Sequence, residues 1–270
     1  MDELLITSPA NPRLRALAAL RRRPVREVEG QTLIEGYEEL GLALDAGVVP
    51  EALFVCPELM ADPVGQQETV RRAADLGAQV VHLGRAAFEK TAYRQGPDGF
   101  LAVAPAVTRS CADLELPAGA LVLLCQGVEK PGNLGAMLRT ADAAGVDAVI
   151  AADPVTDWGN PNLVRASRAT VFSVQVASDT TEASLDCLQV HGIPLVAATP
   201  DTEVDHTQVD YTGPVAVAVG AEKHGLSPEV RAAASHRVRI PMVGRANSLN
   251  VATSAAIILY EAVRQRRAAR

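Results

Sequence analysis

The sequence predicts an α/β protein in two parts. A small α/β domain occupies residues 1–104, and a larger, doubly wound parallel-sheet domain occupies residues 120–270. Three observations carry this. Leu121-Val122-Leu123-Leu124 is an unbroken apolar run, the pattern of a strand covered on both faces. Beyond it, short β-rich runs alternate with helix-length segments, the order that builds a parallel sheet. Between the two parts, Pro105 to Gly119 mixes prolines with polar residues and reads as a linker.

In the first part, Thr32-Leu33-Ile34 reads as a strand, followed by a helix through Leu40, Leu42, Ala43 and Leu44 that stops near Gly47. Ala52–Val55 is a second strand, residues 66–76 a helix ending at Gly77, Gln79–Leu83 a third strand and Gly99–Ala104 a fourth. In the second part a helix over 134–144 stops at Gly145. Strands follow at Ala148–Ile150, Pro194–Ala197, Val215–Val219 and Val238–Ile240, with helices near 160–168, 181–190 and 249–267. There is no internal repeat.

The chain has 270 residues, 48% of them hydrophobic, which is enough for real cores. No apolar run reaches the roughly 18 residues that a membrane span needs. The opening Met1-Asp2-Glu3 lacks the basic start of a signal peptide. Cys56, Cys111, Cys125 and Cys187 are far apart, with no metal-ligand spacing, and read as thiols of a reducing compartment. A cytoplasmic protein with no metal and no membrane partner is expected. The net charge of −7 stands against nucleic acid as a partner, but charge is unevenly placed. Arg13, Arg15, Arg21, Arg22, Arg23 and Arg26 crowd one segment, and Arg264, Arg266, Arg267 and Arg270 another. Each cluster reads either as a solvated helix end or as a phosphate-contacting patch.

Three loops, each after a β-rich run, carry the candidate chemistry. The first is Lys130-Pro131-Gly132-Asn133-Leu134-Gly135-Ala136-Met137-Leu138-Arg139. Asn133 suits a helix N-cap, and a helix starting there offers free N–H groups to an anion. Leu134, Met137, Leu138 and Ala141 share one apolar face. Arg139 lies beside it and leans back over Gly135 towards the helix start. The second loop is Gly220-Ala221-Glu222-Lys223-His224-Gly225-Leu226-Ser227: Gly220 permits a close backbone approach, Gly225 a tight turn, and Glu222 can reach the site. His224 reads as a loop residue. The third joins Ile240-Pro241-Met242 to Ser248-Leu249-Asn250, where Asn247 or Ser248 can cap the final helix.

As an ordered set, these loops resemble the three signature motifs of the SpoU/TrmH family, which transfers methyl groups from S-adenosylmethionine to ribose 2′-oxygens of RNA. The resemblance covers about the last 155 residues. The family form has Gly after the glutamate, where this chain has Lys223-His224. The resemblance implies catalytic roles for Arg139, Asn133, Glu222 and Asn250, with Arg139 contacting the target nucleotide. It implies that Thr199, Gly220, Ile240, Met242, Ser248 and Leu249 line the S-adenosylmethionine pocket. It also implies a trefoil knot, which general topology rules make very rare, and a two-fold homodimer through the last helix. Asn11-Pro12-Arg13-Leu14 and Leu33-Ile34-Glu35-Gly36 resemble the substrate-binding domain, related to a ribosomal protein fold, that precedes the catalytic domain in many members. That addition points to ribosomal RNA as substrate, with transfer RNA the other candidate.

Two rival readings stand beside this one. The Leu121–Leu124 strand, glycines at 127, 132 and 135, and Asp153 further on imitate a dinucleotide-binding oxidoreductase of Rossmann type. The required G-x-G is missing, however, and Pro131 stiffens the turn. A non-catalytic RNA-binding or ribosome-assembly module is the second. Such a module would not need Asn133, Arg139, Glu222, Ser248 and Asn250 all together.

Overall fold

The computed structural model describes residues 4–269, so readings placed on Met1-Asp2-Glu3 and on Arg270 lie outside the described residues. The chain divides into two compact units: Met1–Val107 with Asp157–Ser173, and Thr108–Thr156 with Val174–Arg270.

In the first unit, β1 (Leu4–Ile6), α1 (Pro12–Ala19) and α2 (Arg23–Glu29) lead into β2 (Gln31–Glu35). Then come α3 (Tyr37–Asp45), β3 (Ala52–Val55), α4 (Gln67–Asp75), β4 (Gln79–Leu83), α5 (Arg85–Thr91) and β5 (Phe100–Pro105). The sheet order is β1-β4-β3-β5-β2, with β5 antiparallel to both neighbours and the other pairs parallel. Alternating side chains fill opposite faces, as the two-residue strand period requires. Leu33, Phe54 and Leu101 pack with Leu14, Leu17 and Phe88. Ile34, Leu53 and Phe100 pack with Leu40 and Ala43 on the other side.

The arginine-rich segment is only in part a solvated face. Arg26 is buried (2% exposed). Its Nε and Nη2 donate to the two Asp157 carboxylate oxygens at 2.9 and 2.5 Å, and its Nη1 donates to Leu20 O at 2.8 Å. Arg21 donates to the carbonyls of Thr91 and Ala92 at 2.5 and 2.9 Å and stacks over Tyr93. A buried, paired Arg26 is a structural group, not a phosphate contact.

The second unit begins with β6 (Leu121–Gln126), α6 (Pro131–Ala144) and β7 (Ala148–Ala152). The chain then leaves it. Asp157–Ser173, with α7 (Pro161–Ala166), belongs to the first unit, where Thr32 Oγ1 donates to Gly159 O at 2.7 Å and Ala169 joins the core around Ile34. The second unit resumes with β8 (Gln175–Asp179), α8 (Thr181–Val190), β9 (Leu195–Ala198), β10 (Val215–Val219), α9 (Pro228–Ala233), β11 (His236–Val238) and α10 (Val251–Ala268). All pairs in its sheet are parallel, in the order β11-β9-β10-β6-β7-β8. β6, β7 and β10 are buried at every position, as expected of strands covered on both faces. The chain runs outward from β6 to β8, then jumps to β9 and fills β10 back in beside β6. That reversal places a switch point between β6 and β10, where open α/β sheets bind ligands beyond the carboxyl ends of their strands.

The arginines of α10 are also largely structural. Arg266 donates to the carbonyls of Tyr211, Gly119 and Gly213 at 2.9, 3.0 and 2.6 Å, and Arg264 pairs with Glu261.

Candidate active site

Loops at the carboxyl ends of β9, β10 and β11, together with the start of α10, enclose a cavity of about 680 Å³. Its lining includes Thr199, Gly220, Ile240, Met242, Ser248 and Leu249, all six residues expected around a cofactor, and also Glu222 and Asn250. Thr199 is placed by its N–H donating to Val238 O at 2.9 Å, which ties the β9 loop to β11.

Gly220 has a steric reason that differs from the expected one. A Cβ there would lie 2.2 Å from the carbonyl carbon of Gly225 and 2.4 Å from Leu226 N, so the close approach is to the chain's own backbone. Ala221 bridges Gly225, whose N–H donates to Ala221 O at 2.8 Å and whose φ of +64° suits a glycine. The loop is thereby folded into a tight hairpin that presents Glu222 at its tip.

The first loop departs from its expected start. α6 begins at Pro131, with Lys130 in the cap position and no side-chain cap. Proline at the first helical position has no N–H to satisfy, so the helix starts there without help from Asn133. Asn133, inside the first turn, instead turns its side chain to Glu222. Leu134, Met137, Leu138 and Ala141 form the buried face as expected. At the other helix the cap is Asn250, not Asn247 or Ser248: its Oδ1 accepts from Ala252 N at 2.9 Å and Thr253 N at 3.4 Å.

That cap sets the direction of a polar chain. Because Asn250 Oδ1 faces two N–H donors, its Nδ2 points away and donates to Asn133 Oδ1 at 3.2 Å. Asn133 must then offer its own Nδ2, which donates to Glu222 Oε1. Glu222 Oε2 accepts from Lys130 Nζ. Three of the four expected catalytic residues therefore meet at one edge of the cavity. Lys130, the first residue of that loop, joins them through Glu222, a pairing that the sequence did not single out.

Arg139 stands apart. It is exposed on α6, lines no part of the cavity, and among the described residues forms no hydrogen bond or ion pair. Arg239, which lines the cavity, is held by Glu203 at 2.8 Å and Asp205 at 3.0 Å, and the Asp205 hydrogen bond raises its already high pKa.

Residues 120–260 match the SpoU rRNA methylase family, and residues 11–102 match the MRM3-like substrate-binding domain. The chain belongs to the SpoU rRNA methylase family. It is 31% identical to an uncharacterized tRNA/rRNA methyltransferase of Synechocystis, over 99% of this chain and 96% of the other. It is 28% identical to the Bacillus subtilis 23S rRNA (guanosine(2553)-2′-O)-methyltransferase, over 94% and 97% of the two chains. Among solved structures, that of an RNA 2′-O ribose methyltransferase superposes with a TM-score of 0.85 at 39% identity, covering 98% of this chain and all (100%) of that one. AviRb of Streptomyces viridochromogenes, solved with its cofactor S-adenosylmethionine, superposes with a TM-score of 0.87 at 27% identity, over 96% and 100% of the chains. SpoU membership removes the ground for the oxidoreductase reading.

Proposed function

We propose that this protein is an S-adenosylmethionine-dependent methyltransferase acting on a ribose 2′-oxygen of RNA, with ribosomal RNA the first candidate and transfer RNA the second. One observation carries the reading most: the cavity and the Asn250–Asn133–Glu222–Lys130 chain meet at one edge, in a chain that belongs to the SpoU family.

The cavity's chemistry fits the cofactor. Ile240, Met242 and Leu249 offer apolar walls for an adenine, and Thr199 and Ser248 offer hydroxyls to its polar parts. When bound, S-adenosylmethionine supplies an electrophilic methyl group on a sulfonium. The protein's task is to bring a ribose hydroxyl to that methyl and to handle the charge that develops on oxygen. A ribose hydroxyl is a weak nucleophile until its proton leaves or its developing charge is stabilised. Arg139, a guanidinium without a hydrogen-bond or ion-pair partner among the described residues, serves by holding the target nucleotide and stabilising the emerging alkoxide. Asn133 and Glu222 keep the loop edge in the shape that receives the ribose.

The residues from 1 to 104 act as the RNA substrate-binding domain, 105–119 as the linker, and 120–270 as the catalytic domain with a trefoil knot. The match over 11–102 supports the first assignment. The knot is supported by family membership and by Ser248, Leu249 and Asn250 lining the same cavity as loops from earlier strands. No helix among the described residues is long and apolar enough to cross a membrane. A cytoplasmic location follows from the proposed substrate.

A homodimer through α10 completes the reading. One side of α10 packs on α6 and β10. Along another side, Thr253, Ala256, Ile257 and Tyr260 form an i, i+3, i+4, i+7 stripe, with Tyr260 half exposed at 50%. Ile258 is fully buried within the chain, so a charge there breaks the core and says nothing of assembly. Ala256→Arg is the informative change: at a two-fold interface it inserts two charges at once. A folded monomer with little methyl transfer is expected. Light scattering that finds wild type monomeric and fully active at micromolar concentration refutes the dimer.

The function itself is tested by incubating the protein with tritiated S-adenosylmethionine and ribosomal RNA, then transfer RNA. Alkali-resistant label at a ribose is expected. Binding of NADH without binding of S-adenosylmethionine overturns the proposal.

A further inference from the structure

A second cavity, of about 340 Å³, lies beyond the ends of β6, β7 and β10 and shares Ala221, His224, Gly225, Leu226 and Arg231 with the larger one. The 221–226 hairpin is thus a wall between the two. The volume falls within the roughly 300–1,000 Å³ of small-ligand sites. None of the residues assigned so far to methyl transfer explains its polar floor.

That floor is Asp153, with Gln126 beside it. Ser227 N donates to Gln126 Oε1 at 2.8 Å, which fixes the orientation of the amide. Gln126 Nε2 then donates to Ser227 Oγ at 3.0 Å and Thr181 Oγ1 at 2.8 Å. Thr181, having accepted, gives its single hydroxyl proton to Asp153 Oδ2 at 2.6 Å, and its backbone N–H donates to Asp153 Oδ1 at 3.1 Å. Asp153 itself sits in the left-handed region at φ +49°, uncommon for a residue other than glycine. The result is an exposed carboxylate whose plane and direction are set by two donors. Each oxygen retains a lone pair for a further partner. Arg231 and His224 offer donors from another part of the lining; Arg231 reaches Asp201 at a long 3.4 Å.

Acceptors and donors in one cavity select the ligand. The carboxylate disfavours a phosphate, and Arg231 disfavours a metal cation. A neutral group with two adjacent donors and a separate pair of acceptors fits both. Guanine has this pattern, with N1–H and the N2 amino group side by side and O6 and N7 as acceptors. Adenine presents one donor and one acceptor to the same carboxylate. Single-stranded RNA is read by bases splayed out of the stack in this way. We infer that this cavity seats a guanine base of the RNA substrate, with Asp153 reading its Watson–Crick edge. The inference rests on the proposed methyl transfer to RNA and adds the base that the site selects.

The test uses the full chain with S-adenosylhomocysteine present, and follows backbone amide shifts as GMP, IMP or AMP is added. GMP is expected to shift Gly127, Asp153 and Thr181, and to bind roughly tenfold tighter than IMP, which lacks the N2 amino group. Asp153→Asn keeps both the shape and the tolerance for positive φ but turns one acceptor into a donor. It is expected to bring GMP and IMP within about twofold. Equal shifts for all three nucleotides, no shift at those amides, or a GMP preference that survives Asp153→Asn overturns the inference. Calorimetry with S-adenosylmethionine on the same samples separates the two failures. Loss of the nucleotide preference with cofactor binding intact sinks only the base pocket, whereas absence of cofactor binding in wild type sinks the proposed function beneath it.

Discussion

A Cβ at Gly220 would sit 2.2 Å from Gly225 C, a distance that only backbone movement can relieve. Gly220→Ala therefore pushes the 221–226 hairpin out of place while leaving β10 and its buried valines alone. S-adenosylmethionine affinity is expected to fall roughly tenfold or more, equivalent to about 1.4 kcal/mol, with little change in thermal unfolding. Calorimetry on the variant checks it, and unchanged affinity would mean that the hairpin is not a cavity wall in solution. Arg139 gives the opposite split. It does not line the cavity and has no hydrogen-bond or ion-pair partner among the described residues, so Arg139→Ala is expected to abolish transfer with cofactor affinity nearly intact. A large loss of cofactor binding in that variant would remove Arg139 from the RNA side of the site. The sequence pointed to both positions through their motifs, but the cause of Gly220 lies five residues along the chain and appears only once the hairpin closes.

Helix α10 depends on Glu261 for its attachment. Arg264 donates to that carboxylate at 2.9 and 2.7 Å, and Gln265 at 2.8 Å. The Arg264 hydrogen bonds lead in lowering its pKa from 4.5 to about 2. Gln265 in turn donates to Val209 O and accepts from Tyr211 N, both at 2.9 Å, so the cluster ties α10 to the 209–211 segment. A lowered pKa contributes stability that is complete above the ordinary value and lost as pH falls through the folded one. Between pH 4.5 and about 2 the wild type should lose this contribution, and Glu261→Gln should already lack it and titrate less steeply there. Unfolding followed against pH for both proteins decides the matter; parallel curves reject the role. The elements that the sequence concealed share one physical trait. β8, Gln175–Asp179, is an edge strand with polar positions, β1 has three residues, and α9 has six. None carries a long enough period or apolar run to be read, whereas the central β6, β7 and β10 must be apolar on both faces and announce themselves.

At the scale of the whole molecule, the boundary between the units cannot be read from the chain as a single cut. The cut between Val107 and Thr108 falls inside the Pro105–Gly119 stretch, whose Cys111 and Leu114 already pack in the second core, and Asp157–Ser173 is contributed back to the first unit from within the second. No composition shift marks that excursion, because its contacts are with residues far back along the chain. Thr32 with Gly159, Arg26 with Asp157 and Asn162 with Tyr93 tie it by hydrogen bonds, and Ala169 is buried in the core cluster that includes Ile34. Two consequences follow. Residues 1–107 expressed alone lack part of their core and leave Arg26 buried without its carboxylate, so they are expected to be poorly folded even though the family match over 11–102 lies wholly within them. In the full chain, Asp157→Ala leaves the same guanidinium, 2% exposed, without its partner. Removing one member of a buried ion pair costs about 3–5 kcal/mol; the partial exposure of the Asp157 side chain, at 20%, places the expected loss towards the lower end. Arg26→Met in combination with Asp157→Ala should recover part of the loss, because no charge is then left buried. Thermal unfolding of the two variants, with proteolysis mapped across 157–173, tests the account. If Asp157→Ala unfolds like wild type and 157–173 stays protected, the ion pair does not anchor the excursion.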